Sequence, residues 1–166
     1  MIIRVAEPQD AERAAALHLA CWQEAYAGII EPRRLAAVTA DLDGMVRFWR
    51  TMIELGLRWL AEQDGQLIGF AGAGPNDETD LDVPWKLYAI YVRTAYWGTG
   101  VGHRLITQVI GEDDAVLWVF RDNVRARDFY TRHGFVADGT EQVEQEFGAV
   151  EVRMVRRRGQ ASNRSS

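Results

Sequence analysis

Three glycines at alternate positions, Gly98, Gly100 and Gly102, follow a nearly unbroken apolar run at residues 87–92. An apolar run of this length is typical of a strand that is covered on both faces of a sheet. After the glycines, apolar residues recur at helical spacing as far as Ile110, which predicts an amphipathic helix. The chain must therefore pass from a central strand, through a glycine-rich turn, into a helix.

This order of elements can bind an anion. The first turn of a helix has backbone N–H groups without partners, and it lies at the positive end of the helix dipole. Because glycine has no Cβ, a phosphate can approach the backbone closely. The segment therefore predicts a phosphate or pyrophosphate site, and a tight turn without a ligand is the alternative.

The spacing excludes two other glycine-rich phosphate loops. A dinucleotide fingerprint requires a further glycine three residues after its second glycine, and that position is His103 here. A Walker loop ends in Gly-Lys followed by Ser or Thr, whereas Gly102 is followed by His103 and Arg104.

The rest of the chain reads as one domain over residues 1–155, without an internal repeat or a linker. We predict helices at residues 10–26, after Pro32, around residues 45–53, and at 123–133, with Asp10 as the cap of the first. We predict further strands at residues 2–5, 57–61, 66–73, 115–120, from 135 onward, and 150–155. Residues 74–84 form an acidic loop, and residues 156–166 form a basic and polar tail that we expect to be disordered.

Composition limits the partners and the compartment. The net charge is −5, and the tail contributes four Arg and no acid, so the domain itself is more acidic still. An acidic domain argues against nucleic acid and favours a cationic substrate such as an amine. There is no run of about 18 apolar residues and no secretory signal, so we expect no membrane partner and a cytoplasmic protein. The lone Cys21 fits a reducing cytosol and an apolar helix face.

A second segment, after the next strand, has Asn, Ala, Phe-Tyr and Gly-Phe in a fixed order: Asn123, Ala126, Phe129, Tyr130, Gly134 and Phe135. Together with the glycine-rich turn, it resembles the GNAT superfamily of N-acetyltransferases, and the two motifs span residues 87–136. The family motif is Gln/Arg-x-x-Gly-x-Gly/Ala, and here Trp97 stands at its first position. This departure removes one polar side chain but keeps the glycines.

The resemblance implies an α/β (α+β) fold with a mixed, mostly antiparallel central sheet and helices on both faces. It implies acetyl-coenzyme A as the co-substrate, bound where two parallel central strands splay apart. Backbone groups of Tyr91 and Val92 would bind the pantetheine arm, and Asn123 would contact the same region. The pyrophosphate would bind the backbone of Trp97, Gly98, Thr99, Gly100, Val101, Gly102 and His103.

Tyr130 is the candidate catalytic residue. It follows Asn123 by two helical turns, about 10 Å along the same helix face. A phenol can donate a proton to a leaving thiolate, although an aromatic core residue is the alternative, and the resemblance favours the donor. His18, His103 and His133 lie on different predicted elements without ligand spacing, so no metal is expected.

The predicted reaction is direct transfer of the acetyl group to a primary amine of a small molecule or peptide, with an oxyanion stabilised by a backbone N–H near Ile90 or Tyr91. Where many relatives have a Glu, this chain has Lys86, a cation that accepts protons poorly unless it is desolvated. We therefore predict a water route for the amine proton, with Lys86 itself or the loop acids as alternatives: Asp77, Glu78, Asp80 and Asp82.

Three further points stay open at the level of sequence. A non-catalytic acyl-CoA-binding module of the same fold is the alternative function. A homodimer is plausible for the family. Four aromatic residues either line an acceptor pocket or belong to the core: Trp22, Tyr26, Trp49 and Trp85.

Overall fold

A computed structural model describes residues 1–158 and contains one seven-stranded sheet in the order β1-β2-β3-β4-β5-β7-β6. The strands are β1 Ile2–Val5, β2 Arg58–Gln63, β3 Gln66–Pro75, β4 Trp85–Val92, β5 Ala115–Phe120, β6 Val136–Glu144 and β7 Ala149–Arg156. The helices are α1 Ala11–Tyr26, α2 Pro32–Val38, α3 Leu42–Glu54, α4 Val101–Ile110 and α5 Val124–Arg132. The predicted mixed, mostly antiparallel sheet is confirmed, because only β4 and β5 pair in parallel.

The parallel pair in the middle of the sheet is short. β4 pairs with β5 at Trp85–Ala115 and Lys86–Val116, and within residues 1–158 the rest of the two strands have no pairing with each other. Tyr88 is an extra residue in β4, because its neighbours Leu87 and Ala89 face the adjacent residues Ala73 and Gly72 of β3. Such a bulge bends a strand, and β4 diverges from β5 beyond this point.

Helices cover both faces of the sheet, as predicted. On one face, α1 and α3 pack on β2 and β3 around fully buried Trp49, Leu60 and Phe70. On the other face, α4 packs on β3 and β4, and α4 and α5 together cover β5 and β7 around Leu117 and Phe135. Among residues 1–158, every helix is too short or too polar to cross a membrane.

The C-terminal boundary of the domain needs a correction. Arg156, which we expected to begin the disordered tail, is the last residue of β7 and is buried. Its Nη2 donates to the carbonyl oxygens of Gly111 at 2.9 Å and Asp113 at 2.6 Å. Apart from Arg157 and Arg158, the remainder of the expected tail, residues 159–166, lies outside the described residues.

The predicted cap of α1 is also wrong in its chemistry. Asp10 precedes α1, but its carboxylate makes no cap hydrogen bond to the helix. It accepts instead from Nη1 and Nη2 of Arg4 on β1, at 2.6 and 2.8 Å, and from the backbone N–H of Glu7 at 2.9 Å. The carboxylate of Asp10 therefore pairs with Arg4 instead of with the backbone N–H groups at the start of α1.

Candidate active site

A groove opens between the glycine-rich turn and α5, and we call it the α4–α5 groove. It has a volume of about 280 Å³. Gly98 and Gly100 adopt φ angles of +77° and +89°, which favour glycine, and Gly100 is the N-cap of α4. The groove is lined by β4, the turn and α5: Ile90, Val92, Tyr96, Trp97, Gly98, Gly100, Val101, Gly102, His103, Arg125, Ala126, Phe129, Tyr130, Arg132 and His133. Most of the predicted cofactor-binding residues therefore lie together.

The three positions of the turn require glycine for different reasons. A Cβ built on Gly98 or Gly100 would have no heavy atom within 4 Å, so these positions face open space. A Cβ on Gly102 would lie 3.1 Å from Cε2 of Phe129. Gly98 and Gly100 thus leave the backbone open to a ligand, whereas Gly102 also allows α4 to pack closely against α5.

Two residues predicted to contact the pantetheine arm also make contacts within the protein. The side-chain oxygen of Asn123 accepts from the backbone N–H of Ala126 at 3.2 Å and caps α5, so it serves the helix. The carbonyl oxygen of Val92 accepts from Nε1 of Trp97 at 2.7 Å. The side chain of Trp97 therefore fixes the turn to the end of β4. The sequence analysis did not predict this role, because it treated Trp97 only as the loss of a polar motif residue.

The sequence analysis missed the positive charge of the groove. Cζ of Arg125 lies 3.2 Å from the centroid of the Trp97 ring, and Arg132, seven residues later, lines the same groove. Nδ1 of His103 lies 3.1 Å from Nε2 of His133, whose Nδ1 lies 2.8 Å from the carbonyl oxygen of Phe129. The expectation that these two histidines are scattered was wrong, because α4 and α5 pack side by side. The seven-residue spacing of Arg125 and Arg132 could have predicted that both lie on the same face of α5.

Tyr130 projects from α5 into the groove. Its side chain is 8% exposed, and burial raises the pKa of its phenol well above the ordinary value. Its hydroxyl has no hydrogen-bond partner among residues 1–158. A buried phenol that stays protonated and unpartnered can donate its proton to a group in the groove.

An aromatic cluster lies on the opposite face of the sheet from α4 and α5. The hydroxyl groups of Tyr26 on α1 and Tyr91 on β4 share a short hydrogen bond. Phe120 and Phe147 pack edge-on against Tyr26, at ring distances of 4.9 and 5.3 Å. Burial raises the pKa of both phenols, that of Tyr91 to about 12. These residues form a wall beside the place where β4 leaves β5.

Of the four aromatic residues weighed for an acceptor pocket, Trp22 and Trp49 both pack against His18, at ring distances of 4.5 and 6.1 Å, whereas Trp85 lies on the other face of the sheet. Trp22 and Tyr26 belong to the aromatic cluster. Trp49 is fully buried in the core between α1 and α3, and Trp85 packs on the α4 side, where its Nε1 donates to Asp113 at 3.2 Å. The pocket interpretation was therefore wrong for Trp49 and Trp85.

Lys86 is bound to the acidic loop. Its Nζ donates to Asp77 Oδ1 at 2.7 Å and to Glu78 Oε1 at 2.8 Å. Burial opposes its charge, but these hydrogen bonds outweigh burial and raise the pKa of Lys86. A Lys86 base would need a strongly lowered pKa, so the surroundings of Lys86 argue against this alternative.

Three of the four loop acids, Asp77, Glu78 and Asp80, are also engaged. Trp118 Nε1 donates to Glu78 at 2.8 Å, and the guanidinium of Arg153 donates to both carboxylate oxygens of Asp80 at 2.8 Å. The hydrogen bond from Lys86 lowers the pKa of Asp77, and the one from Arg153 lowers the pKa of Asp80. In Glu78, hydrogen bonds overcome the effect of burial and lower the pKa as well. Paired, ionised carboxylates of this kind are weak proton acceptors.

Glu151 is the carboxylate that sequence reasoning missed. It lies on β7 opposite Phe120, half-buried, and accepts from Gln142 Nε2 at 2.9 Å. Burial raises its pKa, and its charge acts on both Tyr26 and Tyr91. Strand alternation could have indicated it, since Val150 and Val152 flank a single acid on a buried strand.

A mixed sheet that splits between two parallel strands, with a glycine cradle at the start of the following helix, defines the acyl-CoA N-acyltransferase class of fold. Comparison with known proteins agrees. Residues 13–135 match the model of the acetyltransferase (GNAT) family. A probable N-acetyltransferase of Mycobacterium tuberculosis is 30% identical over 151 residues, which cover 82% of this chain and 80% of that protein. The chain therefore belongs to the GNAT family of acetyltransferases, and it is an acyltransferase.

Solved structures show the same fold. The PaiA N-acetyltransferase of Thermoplasma acidophilum, in complex with coenzyme A, superposes with a TM-score of 0.71 at 18% identity, over 94% of this chain and 98% of that chain. The YncA protein of Salmonella typhimurium, with acetyl-CoA, gives a TM-score of 0.67 at 21% identity, over 93% and 92% of the two chains. At these identities the likeness supports the fold.

Proposed function

We propose that this protein transfers the acetyl group of acetyl-CoA to a primary amine of a small molecule or peptide by direct attack. The observation that carries the proposal is the buried phenol of Tyr130 at the inner wall of a groove with an open glycine backbone: the pKa of the phenol is raised, and its hydroxyl has no hydrogen-bond partner among residues 1–158. The neighbours that hold coenzyme A or acetyl-CoA have the same fold. We keep the cytoplasm as the predicted compartment and a homodimer as a predicted assembly.

The residues of the groove fit the co-substrate. The open backbone at Gly98 and Gly100 accommodates a pyrophosphate at the N-terminus of α4, where the helix dipole favours negative charge. Arg125 and Arg132 supply positive charge for the phosphates. The inner edge of β4 from Ile90 to Val92 pairs with no strand among residues 1–158, and its backbone groups other than the Val92 carbonyl are available to the amide-containing arm. In this assignment acetyl-CoA supplies the activated acetyl thioester, and the protein contributes placement and proton transfer.

Two protein groups act on the reacting atoms. A neutral amine forms the new C–N bond at the thioester carbonyl, and the C–S bond breaks. A backbone N–H of β4 near Ile90 or Tyr91 stabilises the charge that develops on the carbonyl oxygen. Tyr130 donates its proton to the departing sulfur, and its raised pKa ensures that the proton is present at neutral pH.

The amine proton leaves on the side of the aromatic cluster. Lys86 and its loop carboxylates are paired, whereas Glu151 has a raised pKa and faces Tyr26 and Tyr91. We assign the proton to Glu151, through water, which keeps the predicted water route and adds its end point. A proton acceptor functions best when its pKa approaches the working pH.

The test is release of free thiol from acetyl-CoA in the presence of a panel of primary amines. Turnover with at least one amine, together with mass-spectrometric detection of the acetylated amine, supports the proposal. Tight binding of acetyl-CoA in calorimetry without turnover of any amine would favour the alternative, a non-catalytic acyl-CoA-binding module. Absence of binding would contradict both functions.

A further inference from the structure

Arg58, at the start of β2, is a buried cation that has no carboxylate partner among residues 1–158. Its side chain belongs to a residue that is only 5% exposed. Within residues 1–158 its guanidinium makes one hydrogen bond, from Nη1 to the carbonyl oxygen of Leu57 at 3.1 Å. Burial lowers the pKa of Arg58 to about 10, so the group is still charged at neutral pH. A buried charge without a counterion is strongly unfavourable unless something else pairs with it.

The sequence makes room for this side chain. Arg58, Gly72 and Ala89 lie in one row across β2, β3 and β4. A Cβ on Gly72 would collide with the guanidinium of Arg58, so the glycine lets the side chain cross β3. Two strand spacings amount to roughly 10 Å, and the guanidinium covers much of this distance. Its Cζ lies 5.7 Å from the centroid of the Tyr88 ring, at the bulge of β4.

Further donors without acceptors lie nearby. Nε1 of Trp49 donates to Nδ1 of His18 at 3.2 Å, which leaves the ring proton of His18 on Nε2. Burial, and after it the charge of Arg58, lowers the pKa of His18 to about 3, so the ring is neutral. In the described part of the chain, neither Nε2 of His18 nor the buried Nε1 of Trp22, whose ring is 4.5 Å from His18, has an acceptor.

These donors share one location. Phe48 lies between them, with its ring centroid 5.6 Å from Cζ of Arg58 and 6.0 Å from the ring of His18. Phe48 and Tyr88 are both partly exposed, at 40% and 39%, so the guanidinium lies just behind the surface. The location is on the α1 and α3 face of the sheet, next to the bulge of β4, where the amine would meet the acyl group.

We propose that Arg58 binds a carboxylate of the acceptor, so that the substrate is an amino acid or another amine with a nearby carboxylate. This inference rests on the proposed function. The planar guanidinium fork matches a carboxylate with two parallel hydrogen bonds. The carboxylate of the acceptor is then the counterion of Arg58.

The test compares amino acids with the amides of the same amino acids, which lack the carboxylate charge. We expect wild-type protein to prefer the acids over the amides in kcat/KM by tenfold or more. Arg58→Met keeps the length of the side chain and removes the charge, and it should abolish this preference, with the larger loss in kcat/KM falling on the acids. Arg58→Lys keeps the charge but loses the fork, and it should retain part of the preference. An unchanged preference in Arg58→Met would overturn the proposal.

Two further measurements separate the possible failures. Thermal unfolding should show Arg58→Met at least as stable as wild type, because the variant removes an unpaired buried charge. A variant that does not fold would indicate a structural role, and the preference of Arg58→Lys would then decide. If wild type acetylates no member of the panel, the proposed function fails. The carboxylate site is then judged by calorimetric titration of the amino acids and amides into protein loaded with coenzyme A. Binding of acids alone, lost in Arg58→Met, supports the site, and equal binding overturns it.

Discussion

Replacement of Gly100 by alanine separates the backbone role of the turn from its role in binding. Gly100 has a φ of +89°, and a Cβ there would have no atom within 4 Å. The cost to stability is therefore the backbone strain alone, about 1–2 kcal/mol. For a domain of this size, that corresponds to a fall of roughly 2–8 °C in the unfolding temperature. In the liganded protein, however, the same Cβ would occupy the space of the pyrophosphate.

Gly56 provides the matched control. It follows α3 with a φ of +68°, and a Cβ there also has no atom within 4 Å, but it lies outside the α4–α5 groove. Gly56→Ala and Gly100→Ala should lose similar stability in thermal unfolding. In calorimetry with acetyl-CoA, only Gly100→Ala should lose affinity, by tenfold or more, which equals about 1.4 kcal/mol.

The two variants give results that can contradict the reasoning. If both bind acetyl-CoA as tightly as wild type, the glycine-rich turn is a structural turn, and the phosphates bind elsewhere. If both lose affinity equally, the loss follows stability rather than contact. A large loss of stability in Gly100→Ala alone would mean that the turn tolerates less strain than its open surroundings indicate.

Three other variants test the proposed chemistry. Tyr130→Phe should lower kcat by about 10²-fold, as expected for loss of a general acid, with unchanged affinity for acetyl-CoA in calorimetry; wild-type kcat would make Tyr130 a packing residue. Glu151→Gln should remove the rise in kcat/KM with pH that reflects ionisation of Glu151. Because the folded-state pKa of Glu151 is raised, its favourable contribution to stability is lost as pH rises through that pKa, so the variant should also be more stable than wild type at neutral pH; a pH profile identical to wild type would contradict the assignment. Lys86→Ala should keep the wild-type shape of the pH profile, since its pKa is raised by Asp77 and Glu78, and loss of that shape would restore Lys86 as a catalytic group.

The segment from β4 to α5 was predictable because its signals are local. The apolar run, the alternate glycines and the spacing of Asn123 and Tyr130 each describe a few consecutive residues. Backbone geometry at Gly98 and Gly100 depends on those residues themselves, so the sequence indicated both the turn and its open backbone. The sheet type followed from the family resemblance, and the structure confirms it.

Side-chain partners on different structural elements could not be predicted in the same way. Asp10 had every local property of a helix cap, yet Arg4 on β1 competes for its carboxylate with two charged hydrogen bonds. The sequence alone allowed Lys86 to be a catalytic residue, but in the structure its ammonium group pairs with Asp77 and Glu78 of the preceding loop. The side chain of Arg58 has room only because Gly72 has no Cβ, and the two residues are neighbours through the register of β2 and β3. Each outcome depends on residues that lie on different elements, and a single sequence carries no signal for how such elements meet.

The short contact between β4 and β5 has a mechanical consequence. Trp85 and Lys86 join the two strands at one end, and Arg153 on β7 fastens the loop that precedes them through Asp80. From Lys86 to Val92, β4 is paired with β3 but, beyond Lys86 and within residues 1–158, not with β5, and this part extends about 20 Å at 3.3 Å per residue. If β3 and β4 rotate together by about 10° about the joined end, the far end of β4 moves by roughly 3.5 Å over that length. The joined end is therefore the point about which the gap between β4 and β5 would widen.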